Sequence, residues 1–92
     1  MTRLFQTELP KIIASAQADL TEDKPVAHVV IKLSGGLNAE TVAGVYICYA
    51  GNHNLDDGIN FYNHLTDYET IDNAALFMVH KDGYINHSRD IA

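Results

Sequence analysis

The dipeptide Asp82-Gly83 narrows what this chain can fold into more than any other feature. It separates the apolar run Ala74-Ala75-Leu76-Phe77-Met78-Val79-His80 from the shorter segment Tyr84 to Ser88. An Asp-Gly pair between two such runs predicts a two-residue hairpin of type I′, because these residues tolerate the positive φ that the turn requires. With Asp82 and Gly83 as the loop, Lys81 faces Tyr84, His80 faces Ile85 and Met78 faces His87. His80 and His87 are then expected on one face of the sheet as diagonal neighbours. The run Ala74 to His80 is apolar almost throughout and bounded by turn residues, which suits a central strand.

Two further strands precede this hairpin. In Ala27 to Leu33, Val29, Ile31 and Leu33 alternate with His28, Val30 and Lys32, the period of a half-buried strand. Ser34-Gly35-Gly36-Leu37-Asn38 breaks the pattern, and Val42 to Ala50 resumes it with Val45, Ile47 and Tyr49 on one face and Tyr46 and Cys48 on the other. The connection is long for a tight turn but suits antiparallel neighbours.

Each strand pair follows a helical pattern. Phe5, Leu9, Ile12, Ile13, Ala16 and Leu20 fall on one face of a 3.6-residue period. Thr7 is the expected N-cap, which would put Pro10 in the first turn, where its missing N–H costs nothing. Pro25 ends the segment by forcing Lys24 out of the helical region. A second helix is expected from Asp57 to Tyr68, with Ile59, Tyr62 and Leu65 as its apolar stripe, Phe61 and Tyr68 alongside, and Asp56 or Asp57 as the cap. The order α-β-β-α-β-β predicts an α+β fold: a four-stranded antiparallel sheet with both helices packed on one face.

Length and composition agree with such a fold. The 92 residues, 47% apolar and 20% charged, suffice for one compact domain over 1–92 and are too few for two. A single cysteine excludes an intramolecular disulfide and a cysteine-based zinc site. Met1 to Glu8 holds no secretory apolar stretch, and no run approaches a membrane span, so a cytoplasmic location is expected.

Charge is distributed unevenly. From Leu33 to His80 there is no Lys or Arg, while Glu40, Asp56, Asp57, Asp67, Glu69 and Asp72 lie there. Elsewhere six acids balance six bases, so the whole net charge of −6 belongs to the middle of the chain. Such a balance argues against direct contact with nucleic-acid phosphates or anionic lipid, which require a basic face. On the second helix Asp57, Asn60, His64 and Asp67 share the face opposite Ile59, Tyr62 and Leu65. The expectation is a protein-binding module, an inhibitor or regulator, that presents Asp56, Asp57, Asn60, His64, Asp67, Glu69 and Asp72 to a basic protein surface. Where that surface normally grips nucleic acid, the carboxylates would act as a nucleic-acid mimic. Tyrosines near this region (Tyr49, Tyr62, Tyr68) would supply amphipathic anchors.

The alternative is a small-ligand or divalent-metal domain, with hydrolytic chemistry, using His53, His64, His80 or His87 with neighbouring aspartates. No His-Glu-x-x-His and no cysteine pair accompanies the five histidines, and the leading expectation carries no cofactor and no metal. Cys48, inside an apolar strand, reads as an inert thiol. No phosphate-binding loop, nucleophile elbow or dinucleotide fingerprint occurs, so nothing supports catalysis. An open four-stranded sheet leaves two edges to protect, so a homodimer stands beside the monomer as an expectation.

Overall fold

The computed structural model describes residues 4–34, 41–52, 54–69 and 74–87, with side chains in the second helix described as far as Leu65. Six elements follow in the expected order: α1 (Phe5–Ala18), β1 (Val26–Ser34), β2 (Thr41–Ala50), α2 (Leu55–Glu69), β3 (Ala74–His80) and β4 (Gly83–Asn86). All strand pairs are antiparallel, and the sheet order is β2-β1-β3-β4. This is the α+β fold read from the sequence.

The placement of the helices differs from that reading. Ile12, Ile13 and Ala16 of α1 pack on Ala27, Val29, Ile31 and Leu33 of β1 and on Ala75, Phe77 and Val79 of β3. Leu65 of α2 packs with Val30, Ala74 and Leu76, flanked by Phe61, Tyr62 and Tyr46. Alternate residues of a strand point to opposite faces, so the two helices cover opposite sides of the sheet. The cause lies in the two central strands. Val26 to Ile31 and Ala74 to Val79 are buried without alternation, and a sheet apolar on both faces needs cover on both. The half-buried reading of Ala27 to Leu33 therefore fails at His28, which is 1% exposed.

Topology delivers the second helix to its face. Strands β2 and β3 both run antiparallel to β1 and hence parallel to each other. A connection between parallel strands has to cross a face of the sheet, and α2 is that crossover. Edge strand β2 carries a bulge: Lys32 pairs with Gly44 but Leu33 with Val42, leaving Ala43 over. The extra residue resets the alternation, so Val42 and Val45 both serve the α1 side.

The terminal hairpin forms, with a different turn. Lys81 and Asp82 make the loop, His80 pairs with Gly83, Val79 with Tyr84 and Met78 with Ile85. Gly83 is the first residue of β4 and its φ lies outside the left-handed region, so no type I′ requirement acts on it. In a four-residue turn starting at His80, Gly83 takes the last position, which glycine favours in the commonest turn type. The shift of two preserves the faces but moves each partner two residues along.

Helix α1 begins earlier than expected. Leu4 is the N-cap and makes no side-chain cap bond, and Pro10 lies inside the helix rather than in its first turn. Its C-terminal end is tied down by Gln17 Nε2 donating to His80 O at 3.2 Å and by Tyr49 Oη donating to Asp19 Oδ2 at 3.0 Å. Burial, followed by that bond and the nearby carboxylate, raises the Tyr49 phenol above its ordinary pKa.

Candidate functional site

The stretch Asn52 to Leu65 builds the site from its cap outward. Asn52 Oδ1 accepts from the Asn54 amide at 3.0 Å, and Asn54 Oδ1 accepts from the Asp56 amide at 2.9 Å. Asn54 is therefore the N-cap of α2, in place of the expected Asp56 or Asp57, because its side chain satisfies an otherwise orphaned amide of the first turn. Asp56 and Asp57 sit inside that turn, where carboxylates complement the positive end of the helix dipole.

The face α2 turns to the sheet is rotated from the expected stripe. Gly58 and Leu65 are buried and Phe61 and Tyr62 half-buried, whereas Ile59 is 40% exposed. Residues 58, 61, 62 and 65 form one line at helical spacing. Away from this line Asp56 and Asn60, opposite it, and Asp57 and His64, on its flank, are all exposed. Asp67 and Glu69 belong to the last turns of the helix, and Asp72 and His53 lie outside the described residues.

Gly58 takes the sheet-facing line because of what lies beneath it. A Cβ at this position would stand 2.5 Å from His28 Nδ1 and 3.2 Å from Cγ, closer than packed atoms approach. The helix backbone thus rests on the edge of the imidazole. His28 is the buried polar residue among the described residues, and neither Nδ1 nor Nε2 has a hydrogen-bond partner. Burial pulls its pKa below the ordinary 6.5; the charge of Asp57 opposes this and that of His87 adds to it. His87 follows β4, its amide donates to Leu76 O at 2.9 Å, and its own Nε2 is buried without a partner.

The histidine pairing expected from the hairpin does not survive the observed register. His87 lies level with Leu76 rather than Met78, four residues along β3 from His80. At the rise of a strand that is about 13 Å, too far for one ion to bridge. Among the described residues no group of three or more His, Cys, Asp or Glu is placed to hold a metal. Cys48 is exposed rather than enclosed, because β2 is an edge strand. The functional reading of the sequence passed over His28, although the signal was there: a lone imidazole flanked by Val26, Ala27, Val29 and Val30 on both sides.

The chain matches no protein-family model, no curated protein and no solved structure. Among the described residues no helix is long and apolar enough to cross a membrane.

Proposed function

We propose that this protein is a small acidic binding module that docks the outer face of α2 on a basic protein surface and so inhibits or regulates its partner in the cytoplasm. What supports the reading is one observation: Asp56, Asp57, Asn60 and His64 are exposed together, away from the packed line of the helix, within a stretch from Leu33 to His80 that contains no Lys or Arg. Unrelieved negative potential attracts a basic surface at long range and speeds encounter. Where the partner grips nucleic acid, carboxylates along one helix face would compete with phosphates for its Arg and Lys side chains.

The test is kinetic. A partner captured from host lysate and purified should associate ever more slowly as salt rises, because exposed charges are screened over about 8–10 Å at physiological ionic strength. Replacing Asp57 and Asp67 together by Asn should slow association at low salt on the order of tenfold and flatten the salt dependence. Dissociation should change little. An association rate indifferent to both salt and the double substitution would show that the acids keep the protein in solution and dock nothing.

A further inference from the structure

We propose that His28 is an acid-sensitive latch beneath α2, and that protonation of its buried ring lifts this helix off the sheet. The ring is 1% exposed, both nitrogens lack partners, and Gly58 closes over the Nδ1 edge so tightly that not even a Cβ fits. A neutral imidazole already gives up a hydrogen bond with water to sit there. An imidazolium has two donors and a full charge to satisfy, and the seat offers neither acceptor nor solvent.

The surrounding groups do not rescue the charge. Across the sheet His28 is paired with Cys48 of β2 and Met78 of β3, neither a counter-ion. On the same strand face lie Lys32 of β1 and His80 of β3, and His87 beyond β4 acts against protonation. Asp57 of α2 favours it, but this carboxylate is exposed and water screens it. The cheapest relief is to open the seat. Helix α2 is the layer able to do so, since it is the backbone of α2 at Gly58 that rests on the ring.

The direction with pH follows from linkage. A histidine held below 6.5 in the closed seat and returned to its ordinary value in the open one takes up a proton on opening. Closure is complete above 6.5 and weakens as pH falls below it, by up to tenfold in the opening constant per pH unit, the limit for one proton. If α2 docks a partner, as proposed above, acid would disable docking; that consequence rests on the proposed function, whereas the latch does not.

Hydrogen exchange on the free protein tests the latch without any partner. Protection factors, corrected for intrinsic exchange, should stay level at residues 56–65 from pH 7.5 to 6.5 and fall from there to pH 5.0 by up to tenfold per unit, while amides of α1, β1 and β3 hold theirs. His28→Leu, which fills the seat with an apolar side chain of similar size, should abolish that fall. NMR titration of the wild-type imidazoles supplies the second reading: His28 should resist protonation until α2 protection is lost. Equal loss in all elements, the same fall in His28→Leu, or His28 titrating at its ordinary value with α2 still protected would each overturn the proposal.

Discussion

The two faces of the sheet draw on alternate residues of the same strands yet are built to different standards. On the α1 side, aliphatic side chains interleave with Phe77, whose ring lies 6.3 Å from Phe5 and 5.7 Å from Tyr84, edge-on to the latter. Two polar contacts, Gln17 to His80 O and Tyr49 to Asp19, tie the end of α1 to β3 and β2. On the α2 side the helix touches down at a glycine, and a buried imidazole has no partner. Apolar burial scales with area and aromatic packing adds to it, and the α1 face has both without an unsatisfied polar group in its cluster. The α2 face gives up stability at His28, and such local departures from good packing gather where a protein does something else.

Were the two faces built alike, truncation would cost the same on both. Phe77→Ala should have the largest effect, a loss of about 3–5 kcal/mol in chemical denaturation, because it removes a 1%-exposed ring at the centre of the α1 cluster. A domain of this kind has about 5–15 kcal/mol in total, so the variant would stand close to unfolding.

Gly58→Ala sharpens the other side through its sign. In an ordinary helix interior alanine improves on glycine by about 1 kcal/mol. Here the added methyl meets the His28 ring, and overpacking costs about 1–3 kcal/mol, so a net loss near 1 kcal/mol is expected. In a His28→Ala background the same change should stabilise the protein, and a double-mutant cycle isolates that reversal. A loss that persists without the imidazole would mean that the glycine is there for another reason.

The smallest effect belongs to the cap. Asn54→Ala removes the side-chain acceptor of the Asp56 amide and should cost about 1 kcal/mol. Because α2 closes over an unsatisfied imidazole, this loss should appear as faster hydrogen exchange in α2 before it shows in global unfolding. An unchanged exchange pattern would argue that α2 is held as firmly as α1.

Much of the architecture was legible in the residues. The helical period from Phe5 to Leu20, the alternation in Val42 to Ala50 and the apolar run Ala74 to His80 each correspond to an observed element. The misreadings share a cause. Thr7 and Asp56 or Asp57 are sound caps by residue type, but Leu4, bridged to Thr41, and Asn54, bonded to the Asp56 amide, hold those positions. Asp82-Gly83 marked the turn, yet the pairing His80 with Gly83 followed from register along β3. Of the candidate site, the exposed acids could be placed by helical spacing alone. The His28 seat could not, since it joins residues 30 positions apart across two elements.

Local pattern, then, determined the element order, the antiparallel pairing and the polar face of α2, because period and charge are properties of adjacent residues. Only the tertiary structure decided that the helices take opposite faces. Strands β2 and β3 run parallel with β1 between them, so the connecting helix must cross the sheet, and both faces of β1 and β3 are apolar enough to need a cover. That choice, invisible in any single segment, is what encloses His28 and leaves Asp56 and Asp57 in water.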